Sequence, residues 1–517
     1  MKTKILIFTA LATALMAGCS KESGENPNPP EDMTGKAFLS LSLTSNTPAQ
    51  VRAATNEEKP GSEDESKATT VTVLLFDEMN TCLGTATASG LTIGSGATAA
   101  TASNALPVPA ATKKIFAVIN TYTTGWDFST VSGKSWTEIN TLLNNAVIEN
   151  VATAQNFMMA SAGDLTKGAM TDVSPVKPTD NSTAAIDAAK ASAKASPVEL
   201  KIDRLAAKVT VSVNGSGVTT PTDAHFEFQG WDLNITNKSV RLYTDLVNYA
   251  NATTGAANGV YRKDYNYTVA EQPANADAMK AAFNYLTNGA AADASGLSAV
   301  DKAAGTDLYC LENTMAADAQ KLGYTTKAVV KAKYAPDGFS LGDSYFFWNG
   351  AFFTLDGIKA AYLDHADGTG LKVDLPKFLN KAGKIMSDAV LGGGQSERDA
   401  AVAALKADDF TATSGIVGRY CAVRYYHQSV CYYDVLIRHD QNVTDKMALG
   451  KYGVVRNNWY GLQINSVSNP GTPWIPDPTD PEDPTKPDTP DDENEMYLSV
   501  KITVNPWTYW SQGVDLN

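Results

Sequence analysis

At 517 residues the chain is long enough for two or three ordinary domains, and 43% hydrophobic with 9% aromatic residues can fill real cores. A formal charge of −14 excludes nucleic acid as an expected partner, since that would demand clustered Lys and Arg. Past the first twenty or so residues, no window holds the roughly eighteen apolar residues that a membrane span needs.

The N-terminus reads as a targeting segment over residues 1–18. Lys2 and Lys4 precede the apolar run Ile5 to Met16, and Met16-Ala17-Gly18-Cys19 is a small-residue cleavage site ending in cysteine. This site resembles the lipobox of bacterial lipoproteins, with Met16 where Leu is usual. That resemblance implies thioether lipidation of Cys19 (a palmitate-type anchor) and cleavage before it. The alternative is an ordinary secretory peptide with an unrelated cysteine. Buried acyl methylenes contribute about 0.8 kcal/mol each, so such a precursor needs no transmembrane helix.

After the tether Ser20 to Asp32, Gly35 to Thr44 is predicted as a strand with Ala37, Leu39, Leu41 and Leu43 on one face. Asn46 to Lys67, containing Arg52 and a run of acids, reads as an exposed loop. Thr70 to Phe76 and Lys114 to Ile119 suit buried strands, and Ser89 to Ala111 suits turns and short edge strands. Thr137 to Asn144 and Thr183 to Ala195 are the expected helices of this half. Val198 to Val213 alternates almost without interruption and is expected to close the first domain, with the boundary at the turn Asn214 to Gly217.

Further on, strands are expected at Ala224 to Ile235, Asp307 to Glu312, Ala328 to Tyr334, Ser344 to Thr354, Tyr420 to Tyr426, Cys431 to Ile437 and Trp459 to Ile464. Helices are expected at Ala276 to Leu286, Leu355 to Leu363 and Glu397 to Ala407. Many short strands with few helices point to β-sandwiches with inserted helices. Residues 476–495, rich in Pro, Asp, Glu and Thr, read as a linker that cannot build a core and that reaches up to about 60 Å if extended. Beyond it, Leu498, Val500, Ile502 and Val504 alternate with polar residues, the period of a strand with one apolar face. A lone strand needs a sheet edge, in its own chain or in another copy. Pro506-Trp507 follows, where Pro suits an edge because it cannot donate to a ladder.

Nothing reads as catalytic. His225, His365, His427 and His439 lack any nucleophile elbow, paired-His helix or phosphate loop, and read as core or surface histidines. The linker acids lack an EF-hand pattern, so no metal and no cofactor is expected. Cys82, Cys310, Cys421 and Cys431 read as buried free thiols, with pairing in the exported protein as the alternative. The aromatic stretches around Tyr345 to Phe353 and Tyr425 to Tyr433 read as sheet faces, with a carbohydrate platform as the lesser reading.

Several segments together resemble the fimbrillins of Bacteroidales type V pili, with the minor-fimbrium stalk subunit as the nearest likeness. They are the lipobox, Arg52 in the early loop, Ala117-Val118-Ile119-Asn120, Asp203-Arg204-Leu205-Ala206-Ala207-Lys208-Val209 and Leu308-Tyr309-Cys310-Leu311-Glu312-Asn313-Thr314. At the end stand Tyr452 to Asn458, Trp459-Tyr460, the acidic linker, Val504-Asn505-Pro506-Trp507 and Val514-Asp515-Leu516. Residues 215–305 and 370–415 match nothing in that pattern, and Asn517 follows where the family often stops at leucine.

The resemblance implies two transthyretin-like β-sandwich domains, 53–217 and 218–475, followed by the linker and a donor strand at 496–517. It implies an outer-membrane lipoprotein precursor whose propeptide, 19–52, is removed by an Arg-specific protease between Arg52 and Ala53, with Lys59 the weaker alternative. Leu39, Leu41 and Leu43 would leave with it. Leu498, Val500, Ile502, Val504 and Trp507 of an identical or related subunit would refill the groove, head to tail, in a surface fimbrium that supports adhesion and virulence through host or bacterial receptors. The alternative is a monomeric surface lipoprotein that binds glycans or host proteins; a hydrolase has least in its favour.

Overall fold

The computed structural model describes residues 35–45, 59–94, 100–121, 128–142, 148–153, 156–250, 257–268, 275–288, 300–440, 443–480, 483, 486, 488–493 and 498–508. Among them no helix is long and apolar enough to cross a membrane.

The first half contains β1 (Lys36–Leu39), β2 (Leu41–Ser45), β3 (Lys59–Pro60), α1 (Glu63–Ser66), β4 (Val71–Phe76), β5 (Cys82–Ala88), β6 (Leu106–Pro109), β7 (Lys114–Ile119), α2 (Trp136–Asn140), β8 (Met159–Ser161), α3 (Thr183–Ala195) and β9 (Val198–Arg204). Its main sheet has seven strands, in the order β2-β9-β8-β7-β4-β5 with Thr171–Asp172 beside β7. β4 and β7 read as continuous apolar runs because both faces of this sheet are buried. Val71, Val73, Leu75, Ile115, Ala117 and Ile119 enter one core, while Leu74, Phe76, Phe116 and Val118 enter another.

Three expectations for this half need correction. The single strand at 35–44 is two strands, because the chain passes from one sheet to another at Ser40. β1 pairs with β6, whereas β2 runs parallel to β9. Ser40 turns this corner with its own hydroxyl, which donates to Ser103 O at 2.7 Å, while Leu41 N donates to Ser103 Oγ at 2.9 Å. Residues 59–67 are not an exposed loop: α1 opens on a Ser62/Glu65 capping box, and Glu65 and Ser66 are buried. The alternation from Val198 to Val213 breaks at Leu205, and Ala206–Val213 belongs to the second half. Leu205 is itself fully buried, so the break is a packed crossing between sheets.

The second half contains β10 (Ala206–Val213), β11 (His225–Asn234), β12 (Asp307–Leu311), β13 (Lys327–Ala335), β14 (Tyr345–Trp348), β15 (Ala351–Phe353), α4 (Leu355–Asp364), α5 (Leu371–Lys381), α6 (Gln395–Ala403), β16 (Arg424–Tyr426), β17 (Val430–Leu436), β18 (Asn458–Val467) and β19 (Leu498–Thr508). A five-stranded sheet, β12-β10-β18-β19-β3, faces a three-stranded one, β11-β13-β17. Val209, Val211, Leu462 and Ile464 from the first meet Trp231, Val330, Ala332 and Tyr433 from the second in one core. The fold is mainly β, as composition and patterning indicated.

The expected strand 344–354 is a hairpin, β14-β15, turning at Asn349 and Gly350, whose φ values of 47° and 82° suit a tight two-residue turn. Helix Ala276–Ala282 ends short of Leu286, and β16 begins only at Arg424. α5 was not expected, since Pro376 sits inside it. It forms because Leu371, Leu375, Phe378 and Leu379 pack with Phe346, Ile358 and Tyr362.

Candidate functional site

The N-terminal strands fill an edge. β2 is the terminal strand of the first sheet, with Leu41 opposite Val198 and Leu43 opposite Leu200, and its outer edge is met by backbone hydrogen bonds with Gly94 and Ser103. Leu39, Leu41 and Leu43 are 3%, 0% and 0% exposed and lie in the core of β4, β7 and β9. Lifting this segment away leaves the β9 backbone unpaired and opens apolar pockets over Leu200, Ile202, Leu106 and Val108. Cys19, Arg52 and Ala53 lie outside the described residues.

The C-terminal strand is next to last in a sheet of its own chain, between β18 and the two-residue β3. β19 runs antiparallel to β18, with Leu498 opposite Val467, Val500 opposite Ile464, Ile502 opposite Leu462 and Val504 opposite Tyr460. Leu498 and Ile502 are buried and Val500 packs partly against the same core. The Val504 and Trp507 side chains lie outside what the structure describes, although the Trp507 backbone pairs with Lys59 of β3. The structure therefore does not bring the terminal strand to Leu39–Leu43. It follows the alternative open in the sequence, completion of its own sheet.

What precedes β19 is not the loose spacer expected of its composition. Asp480 accepts from Arg419 at 2.5 Å and from the Tyr420 hydroxyl at 2.6 Å, and Asp483 lies 3.2 Å from Arg419. Thr325 donates to Asp491 at 2.5 Å, and Asp492 accepts from Lys451 and Tyr452, both at 2.8 Å. Acids written as solvated linker are thus fixed to the second half. Burial pushes the Asp491 carboxyl up to about 7 despite the Thr325 hydrogen bond. Asp492 is less buried. Burial works to raise it too, but the Lys451, Met447 and Tyr452 hydrogen bonds outweigh that and hold it below its usual range.

Between the two halves runs a buried polar seam that the sequence did not reveal as a unit. Lys208 Nζ lies 2.8 Å from Glu65 Oε1 and 2.7 Å from Asp307, and 3.8 Å from the centre of the Trp459 ring. The Tyr309 hydroxyl donates to the same Glu65 oxygen at 2.5 Å. Arg204 donates to Glu65 O at 2.8 Å and to Asn457 Oδ1 at 3.1 Å. Further along, Arg262 pairs with Asp203, and Arg456 donates to Glu312 at 3.1 Å.

Burial alone would raise the Glu65 carboxyl, but the Lys208 and Tyr309 hydrogen bonds and the Lys208 charge prevail and lower it. Breaking such a pair from one side leaves a buried charge uncompensated, at a cost of about 3–5 kcal/mol. The two central motifs, Asp203 to Val209 and Leu308 to Thr314, supply Asp203, Arg204, Lys208, Tyr309 and Glu312 to this seam. Glu65 was missed, although Ser62-x-x-Glu65 is a capping-box pattern that could have marked it.

His439 is a core residue, 1% exposed, with Nδ1 2.8 Å from the Tyr460 hydroxyl. Asp440 accepts from the Tyr249 hydroxyl at 2.8 Å. Cys82, Cys310, Cys421 and Cys431 are free thiols, Cys421 alone being half-buried. Burial pushes Cys310 and Cys431 up to about 12, which makes them poor nucleophiles.

The chain matches the major fimbrial subunit protein (FimA) family over residues 37–204 and the C-terminal fimbrillin region of major fimbrial subunit protein type IV over residues 424–513. The first match starts in β1 and ends at Arg204, the residue before the crossing between sheets. Among solved structures it is similar to a cell adhesion protein from Parabacteroides distasonis ATCC 8503, at 13% identity and a TM-score of 0.42 over 92% of this chain and 97% of that one. A second, from Bacteroides eggerthii DSM 20697, shows 14% identity and a TM-score of 0.35 over 94% and 99%. The tip fimbrial protein Mfa3 from Porphyromonas gingivalis, with a C-terminal truncation, shows 10% identity and a TM-score of 0.34 over 91% and 100%. No curated protein matches the sequence significantly.

Proposed function

We propose that this chain, a member of the fimbrillin family of fimbrial subunits, is a non-enzymatic stalk subunit that polymerises by protease-triggered strand exchange. In this reading Cys19 carries lipid on an outer-membrane precursor, and cleavage between Arg52 and Ala53 releases residues 19–52. β1 and β2 go with them. The terminal strand of the next subunit, through Leu498, Val500, Ile502, Val504 and Trp507, then occupies the vacated edge. The same reading assigns the two sandwiches a transthyretin-like topology.

One observation carries this reading. Upstream of Arg52, β2 is the outermost strand of its sheet and buries Leu41 and Leu43 completely, so its removal uncovers one edge of β9 and two apolar pockets while the strands behind it keep their pairing. Each buried leucine that leaves exposes apolar surface worth about 2 kcal/mol, and an incoming strand of matching period recovers both that burial and the main-chain pairing. Head-to-tail exchange is a heterologous contact and gives an open filament. Because β19 starts paired in its own chain and its linker is tied by ion pairs, exchange also requires that strand and linker be released.

Two variants test the scheme. Deletion of residues 496–517 is expected to abolish filaments, seen by electron microscopy, while leaving a folded monomer of lower melting temperature. Normal filaments from that truncation overturn the donor role. Arg52→Ala is expected to accumulate a longer, lipid-bearing precursor that does not polymerise; efficient assembly of this variant removes Arg52 from the mechanism.

A further inference from the structure

The small sheet of β15, β14 and β16 has two aromatic faces with different surroundings. Phe346 and Tyr425 are sealed beneath α4 and α5. On the opposite face Phe352 stands across from Phe347, and Phe347 across from Arg424, in one cross-strand row. All three are only half-buried. With Gly350, Tyr426, Asn469 and Pro470 they line an open cavity of about 350 Å³.

Arg424 is the unusual member. Its guanidinium lies 5.8 Å from the centre of the Phe347 ring and 5.7 Å from that of Trp474, so two aromatic faces flank it. Among the described residues no carboxylate stands within ion-pair distance and its side chain donates no hydrogen bond. Arg262, Arg419 and Arg456 of the same chain each hold an acid. In a protein of formal charge −14, a guanidinium kept clear of every described acid leaves its fork of donors available at a cavity wall.

We infer that this cavity binds a carboxylate-bearing sugar residue at the end of a glycan. Arg424 offers a planar, charge-assisted fork that matches a carboxylate. The half-exposed faces of Phe347 and Phe352 suit the apolar C–H face of a pyranose ring. The exposed Asn469 amide, at the rim, has donor and acceptor for a ring hydroxyl. The cavity lies near the lower end of small-molecule sites, about 300–1,000 Å³, which fits a terminal residue with the rest of the glycan leaving toward solvent. A bare Gly350 at the hairpin tip, with nothing within 4 Å of a Cβ built there, keeps that exit clear. The site asks nothing of strand exchange and is testable on the unassembled chain.

Titration calorimetry of the full chain with a glucuronic-acid-terminated disaccharide, its carboxyl methyl ester and a short tripeptide tests it. The acidic sugar is expected to bind at least about tenfold more tightly than the ester, as loss of a charge-assisted pair implies. Arg424→Gln is expected to erase that difference with an unchanged melting temperature, and Asn469→Ala to weaken binding a few-fold. Equal binding of acid and ester, no binding of either, undiminished binding by Arg424→Gln, or tighter binding of the tripeptide overturns the inference. Should Arg424→Gln fail to fold, the acid-to-ester ratio on the unaltered chain decides alone.

Discussion

The two terminal strand segments solve the same problem in opposite ways. β1 and β2 are short, divide between two sheets at Ser40, and put every leucine at 3% exposure or less. β19 is a single strand of eleven residues along β18, with β3 against its last two residues, Ile502 at 9% exposure and Val500 only partly covered. Its approach is secured by carboxylates on Arg419, Thr325, Lys451 and Tyr452. A strand anchored by deep apolar burial comes away only when something removes it from the chain. In the proposed scheme a strand whose approach is tied down by ion pairs and hydrogen bonds exchanges without covalent change. The difference teaches that the irreversible and reversible halves of the proposed assembly step would draw on different kinds of contact.

That contrast is open to breakage. The largest effect is expected from Leu41→Ala, which should cost the precursor about 2–5 kcal/mol in urea unfolding. A loss well under that range would mean the N-terminal edge is no deeper than the C-terminal one. Arg419→Gln removes the partner of Asp480 and Asp483 and is expected to loosen the linker by about 1–3 kcal/mol, read as faster amide exchange in β19 with β4 and β7 unchanged. Equal acceleration in all three strands would show that the linker does not act locally.

The smallest effect is in pH. Asp491 is raised when docked, so it favours the docked linker fully below its unfolded value near 4, and this advantage fades as pH rises through about 7. Glu65 is lowered, so its stabilisation is present above that unfolded value and is lost as pH falls below it. Between pH 5 and 8, amide exchange in β19 should therefore quicken while α1 stays protected, and Asp491→Asn should flatten the trend. A β19 that is indifferent to pH refutes the role of Asp491.

Local patterns were legible wherever neighbours in sequence decide the structure. β7 and α3 match their expected bounds, since an apolar β-branched run and an alanine-rich run each favour one backbone state. The terminal strands were legible for the same reason, through Leu39 to Leu43 and Leu498 to Val504. Features decided by distant partners were not. The corner at Ser40 depends on Ser103, the seam joins Glu65 to Lys208 and Arg204 to Asn457, and α5 overrides its own Pro376 through packing. The linker misled most, because a run of Asp and Pro has the same composition whether its acids meet water or Arg419 and Lys451.

A two-residue strand, β3, lies beside the end of β19. Lys59 and Pro60 run parallel to Trp507 and Thr508, on the outer flank of β19. Were the proposed cut at Arg52 made, β3 would follow the new amino terminus by six residues and would lie beside the strand proposed to depart. In the proposed scheme a subunit could then register its own maturation through the contact between β3 and β19, without a signal relayed across the molecule.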